Sequence, residues 1–156
     1  MKRITRRSLL FIVSVIVLCV TSCTMGSCFE ETESYVKASF YNNTTKKLTA
    51  PDSITLYGID RDTSLIYKKA TNVSTALIPL NSATEVAIFI IKINDKTDTL
   101  EFHYTNYPHL ISKECGYTYY HHLDTGPIHS NHSIIDIYTA NSTITNENGE
   151  NLRIFY

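Results

Sequence analysis

The sequence predicts an all-β protein, an antiparallel β-sandwich with immunoglobulin-like connectivity as the first choice. Three observations point to it. From Tyr35 onward apolar residues recur at every second position instead of every third or fourth, the period of a half-buried strand. Turn-forming residues interrupt that pattern often enough to leave about nine or ten short strands and no convincing helix. Eleven tyrosines and no tryptophan, in a chain rich in β-branched residues, suit pleated surfaces.

The N-terminus has a different character. Lys2, Arg3, Arg6 and Arg7 precede an apolar run from Leu9 to Val20, and small residues follow. This is the layout of a secretory signal. The run of 12 residues falls short of the roughly 20 that a spanning helix needs. Val20-Thr21-Ser22-Cys23 resembles a bacterial lipobox, which implies cleavage before Cys23 and lipidation of its thiol. Residues 1–22 are therefore expected to leave as a lipoprotein signal. Residues 23–34 would form the acylated cysteine and a polar, acidic tether, and residues 35–156 the β-sandwich domain. Met25-Gly26-Ser27-Cys28 is a poorer lipobox, and the apolar run ends too early to serve it.

The strands are expected in order. Tyr35–Tyr41 stops at Asn42-Asn43-Thr44-Thr45, and Ser53–Ile59 turns at Asp60-Arg61-Asp62 into Ser64–Lys68. Ala76, Ile78 and Leu80 alternate, and Pro79 among them marks an edge strand. Glu85–Ile93 is apolar on both faces, as a central strand covered on both sides would be. Asn94-Asp95-Lys96-Thr97 connects it to Asp98–Tyr104. Tyr117–Leu123 and Ser133–Thr139 follow, joined by a loop with Gly126 and Pro127. A closing hairpin is expected from Ser142–Thr145, a turn at Asn148-Gly149, and Asn151–Phe155.

Composition narrows the partners. The whole chain carries a formal net charge of −1, but four of its 14 bases and none of its 15 acids lie in the expected signal. The mature part of 134 residues (156 less 22) is thus mildly acidic, near −5, with scattered signs. Nucleic acid, which needs a clustered basic face, is excluded as a partner. No polybasic segment assists membrane attachment, so the membrane would be held through the acyl chains on Cys23. With Cys19 in the signal and Cys23 acylated, Cys28 and Cys115 remain. Outside the cytoplasm such a pair is expected to form a disulfide, with separate thiols as the alternative.

Several short motifs carry a resemblance. They are the lipobox with a second cysteine nearby, Phe40-Tyr41, DSITLYG from Asp52, IPLN from Ile78, DTLEFHY from Asp98, SKECGY from Ser112 and the terminal ENLRIFY. Together they resemble a family of small Bacteroides-type lipoproteins catalogued as a domain of unknown function. Glu114-Cys115-Gly116 is the most distinctive of them. The resemblance implies an envelope location, an outer-membrane lipoprotein of a Gram-negative bacterium facing periplasm or cell surface, and a β-fold. It supplies no activity, cofactor or catalytic residue.

Candidate sites are few. His103, His109, His121, His122, His129 and His132 match no zinc spacing, and adjacent His121 and His122 point to opposite faces of a strand, so no metal site is expected. Asp60-Arg61-Asp62 lacks the glycine and distal glutamate of a calcium loop. Cys115 with His121 could form a thiolate pair, but an oxidising compartment favours the disulfide. Asp52-Ser53-Ile54 and Asp98-Thr99-Leu100 fit a short O-glycosylation pattern and read equally as strand starts. Tyr117, Tyr119 and His121 share one strand face beside Tyr120 and His122, and flat rings with polar tips suit a glycan or protein ligand. The alternative is that these rings complete the core and its rim. The expected function is a lipid-anchored, non-catalytic binding or structural module without cofactor. An envelope hydrolase with a loop-built site is the alternative.

Overall fold

The computed structural model describes residues 28–59, 63–147 and 149–156. Cys23, the expected signal, Asp60-Arg61-Asp62 and Asn148 lie outside the described residues. Alternating segments give eleven strands: β1 (Tyr35–Tyr41), β2 (Ile54–Gly58), β3 (Tyr67–Ala70), β4 (Thr75–Pro79), β5 (Val86–Ile93), β6 (Lys96–Ser112), β7 (Gly116–Leu123), β8 (Ile128–His129), β9 (Asp136–Thr139), β10 (Thr143–Ile144) and β11 (Leu152–Phe155). No helix occurs among the described residues.

The strands form two sheets. The first has the order β4-β1-β11-β9 and the second β10-β7-β6-β5-β2-β3, with β8 beside β6. Every pairing is antiparallel except that of β1 with β11. One core joins the sheets: Val36, Ala38 and Phe40 of β1 with Leu152 and Ile154 of β11 meet Leu56, Ile91, Leu100 and Phe102 of the second sheet. The expected all-β, sandwich-like class is therefore observed. The arrangement by itself does not carry an immunoglobulin strand order, which divides its strands four and three.

Several expected elements differ. The segment expected at Ser64–Lys68 pairs as Tyr67–Ala70, where Tyr67 lies opposite Leu56. β5 is central, between β2 and β6, but only Phe89, Ile91 and Ile93 are buried; Val86 is exposed and Ile88 and Ile90 are half-buried. The closing hairpin does not form. β10 pairs with β7 in one sheet while β11 joins β1 and β9 in the other. Pro79 does sit on an edge strand, and the outward amide of neighbouring Leu77 is taken up by the Tyr67 hydroxyl at 3.0 Å.

The largest difference is β6, 17 residues long where seven were expected. Pairing with β5 ends at Val86 opposite His103, yet β6 continues against β7 from Tyr104 to Ser112. The extension tolerates Pro108 because only one of its edges is paired. A missing N–H on the open edge breaks no ladder bond.

Ile93 lies opposite Lys96, so Asn94-Asp95 makes a two-residue turn with Asn94 at φ +55°. Its amide donates to Ser53 O at 2.9 Å, and its Oδ1 accepts from Ser53 N at 3.3 Å. Asparagine tolerates this left-handed conformation, whereas alanine is strained in it. Asn94→Ala is expected to cost about 1–2 kcal/mol, and Asn94→Gly less. Urea midpoints at constant slope check the ranking; Ala and Gly variants of equal stability would refute it.

Candidate functional site

Beyond Tyr104 the β6–β7 hairpin runs on as an arm, Thr105–Ser112 against Gly116–His122. Its turn is closed by the Cys115 amide donating to Ser112 Oγ at 3.0 Å and by Gly116 at φ +73°. That positive φ accounts for the glycine of the Glu114-Cys115-Gly116 motif. At this turn Cys115 is bonded to Cys28, with a Cα–Cα distance of 4.8 Å. Cys115 is thus not a free thiol.

The disulfide seats the N-terminal segment along β7. Asn146 Nδ2 donates to Glu31 O at 2.7 Å, Thr118 Oγ1 to Thr32 O at 2.5 Å, and Ser34 Oγ to Tyr119 O at 2.6 Å. Residues 28–34, read as tether from their polarity, lie docked on the arm.

The predicted binding trio separates by depth. Alternate positions on β7 place Tyr117, Tyr119 and His121 on one face, opposite Leu110, Pro108 and Asn106. Tyr117 is 74% and Tyr119 47% exposed, whereas His121 is 2% exposed. His121 packs edge-on against the buried Tyr104 ring, with centroids 5.5 Å apart. Its Nδ1–H donates to Asn106 Oδ1 at 2.6 Å, and Asn106 Nδ2 donates to Thr84 O at 2.6 Å. Burial holds its imidazole below the usual range. His121 therefore supports the arm's root, while the two tyrosines reach solvent. On the other face Tyr120 is covered by His109, stacked at 4.3 Å, and by Tyr107. The remaining histidines disperse: His103 pairs with Glu101 at 2.7 Å and His132 lies beside Asp98. No three His, Cys, Asp or Glu side chains converge on one point among the described residues.

Two hollows meet at Pro79-Leu80. The larger, about 600 Å³, is walled by Ile66, Leu80 and Ile88 and carries the polar groups of Ser64, Asn81 and Thr84. No ionisable side chain lines it among the described residues. The smaller, about 300 Å³, lies between the Thr32–Tyr35 segment and Leu80, with Tyr119 and His121 on its arm side. Asn81 and Thr84 are held by Tyr104, whose hydroxyl donates to Asn81 O at 3.0 Å and lies 3.1 Å from Thr84 Oγ1. One buried tyrosine thus fixes the loop between the hollows.

Sequence reasoning placed Asp98 in an O-glycosylation pattern or at a strand start and missed its role as a buried, hydrogen-bonded carboxylate. It sits on the core face of β6 with Leu100, Phe102 and Tyr104 and is 1% exposed. Its Oδ1 accepts from Ser130 Oγ and the His132 amide, both at 2.7 Å. Its Oδ2 accepts from the amides of Ser133 at 2.7 Å and Ile134 at 3.1 Å. The signal was there to read: a carboxylate in phase with apolar residues must be buried, and a buried charge must be hydrogen-bonded. Ser130, His132 and Asp98 superficially suggest a catalytic triad. In a triad the imidazole stands between acid and hydroxyl; here the serine proton goes directly to the carboxylate, and the cluster ties the 130–134 loop to β6.

A family model described as a family of unknown function (DUF6452) matches residues 53–156. That span includes β2 to β11, both partners of the His121–Asn106 contact, Asp98 and Cys115, but not Cys28. Neither the curated proteins nor the solved structures include a match to the chain. With two thirds of its length matched (104 of 156 residues), and with the disulfide-bonded Glu114-Cys115-Gly116 turn inside the match, the chain belongs to the DUF6452 family of unknown function.

Proposed function

We propose that this is a lipid-anchored cell-envelope protein that acts by binding, taking a glycan or protein ligand at the two hollows that meet at Pro79-Leu80. The lipobox at Val20–Cys23 supports the anchor and the outer-membrane address. The lining of the larger hollow carries the binding reading. Its apolar walls and neutral amide and hydroxyl groups can hold a ligand. Tyr119 at the rim of the smaller hollow adds a flat ring with a hydrogen-bonding tip.

A photo-crosslinking residue in place of Tyr119, on intact cells, tests this reading. A discrete adduct that disappears with Leu80→Glu is the expected result. Turnover of an envelope polymer that a single polar substitution abolishes would replace binding with hydrolysis. Protease digestion of intact cells, with Cys23→Ala as the anchoring control, then separates surface display from the periplasm.

A further inference from the structure

We infer that the tip of the β6–β7 arm rests on the membrane surface, with Phe29, Leu110 and Tyr117 at the level of the lipid headgroups. The inference depends on the reading above that Cys23 carries the lipid anchor. Its geometric basis is independent of the hollows.

Cys28 is bonded to Cys115, at the turn of the arm. Only five residues of chain lead from Cys23 to Cys28 (28 less 23). Fully extended, they reach at most about 18 Å. The disulfide therefore makes the arm tip, and no other part of the sandwich, the point tethered to the bilayer. β1 begins where the docked segment leaves the arm and runs away from it, so Leu48, bridged to Tyr41 at its far end, lies at the opposite pole.

The tip has the side chains for such a position. Phe29, next to the tethered cysteine, is 93% exposed, and Leu110 and Tyr117, opposite one another across the hairpin, are 48% and 74% exposed. Packed apolar contacts within the domain explain none of this exposure, whereas amphipathic rings are favoured at a membrane–water boundary. Lys113 and Glu114 at the turn and Glu30, Glu31 and Glu33 on the docked segment are exposed charges that keep the arm at headgroup depth, short of the hydrocarbon. The occupant is thus a lipid surface. The hollows at Pro79-Leu80 stay on the sides of the domain, open to ligand.

The chain contains no tryptophan, so a single introduced indole reports alone. Full-length lipidated protein with Tyr117→Trp would be placed in phosphatidylethanolamine–phosphatidylglycerol vesicles containing acyl-brominated lipid, with Leu48→Trp as the distant control. Both variants should float with the vesicles. Emission of the Tyr117→Trp variant should fall at least twofold on bromination and shift to the blue, while that of the Leu48→Trp variant is unchanged. Flotation without quenching of the Tyr117→Trp variant, or equal quenching of both variants, would overturn the inference while leaving the anchor intact. Failure to float, with an intact mass lacking acyl groups, would remove the anchor reading and this inference with it.

Discussion

Asp98→Asn is expected to lower the unfolding free energy by about 3–5 kcal/mol, with a fall in Tm of roughly 10–20 °C. The carboxylate accepts from the Ser130 hydroxyl and the His132 amide on Oδ1 and from the amides of Ser133 and Ile134 on Oδ2, and the His132 ring Nδ1 lies a further 3.2 Å from Oδ1. An asparagine amide of the same shape must turn its own NH₂ toward one of those donor pairs, whichever way it is flipped. Two hydrogen bonds to a charge are lost and their donors are left opposed in a buried site. Thermal unfolding at neutral pH measures the cost; a variant as stable as the wild type would refute the role.

The acid limb of stability gives a second reading of the same residue. Burial alone would raise the Asp98 carboxyl, but hydrogen bonds from His132, Ser130, Ile134 and Ser133 outweigh it and hold it below the usual carboxylate range. Its contribution is fully present above the unfolded value of about 3.9 and is lost as pH falls through the folded one. His121 acts higher. Burial lowers its imidazole, so its contribution is present above about 6.5 and declines as pH falls from there. The wild type should therefore lose stability in two stages on acidification, and Asp98→Asn should shrink only the lower one. Asp98 shares that stage with Glu150, whose burial is outweighed by hydrogen bonds from Arg153 and Tyr41 that also hold it below the usual range.

Cys115→Ser is expected to cost about 3 kcal/mol, less than the about 4–5 kcal/mol that the chain-entropy model gives for such a loop. The bond joins residues 87 apart. The smaller figure reflects the native state: once cut loose, residues 28–34 keep only a few hydrogen bonds to the arm and regain freedom in the folded protein too. Urea unfolding of oxidised wild type, reduced wild type and Cys115→Ser should give one stable curve and two coincident weaker ones. Coincidence of all three would mean the bond only decorates the fold.

The sequence revealed the strands better than it revealed their partners. Tyr35–Tyr41 was legible to the residue because its alternation is bounded by an asparagine–threonine turn. Period two says which side chains face inward but not which strand lies alongside, so the neighbouring strands β10 and β11 read as a hairpin while sitting in different sheets. The expected sixth strand stopped at Tyr104, and nothing local reveals that it runs on past Pro108 against β7 after β5 has stopped. Phase put Tyr117, Tyr119 and His121 on one face without saying whether that face meets solvent, and only the two tyrosines do. His121 shares that phase yet is buried, because Tyr104 and Asn106 close over it from the longer part of β6. The hollows were invisible, since Pro79-Leu80 and Thr84 are brought to them by pairings distant in sequence.

The parallel pairing of the first and last strands has a consequence for biogenesis. β11 lies between β1 and β9, so until residue 155 has been synthesised β1 has only β4 beside it and β9 has no neighbour in its sheet. Contacts of such long sequence separation close late and slowly. In a nascent chain of this topology the first sheet therefore stays incomplete until β11 emerges, while the second sheet needs nothing from β11. Under the export proposed above, the late closure of this sheet works as a built-in delay.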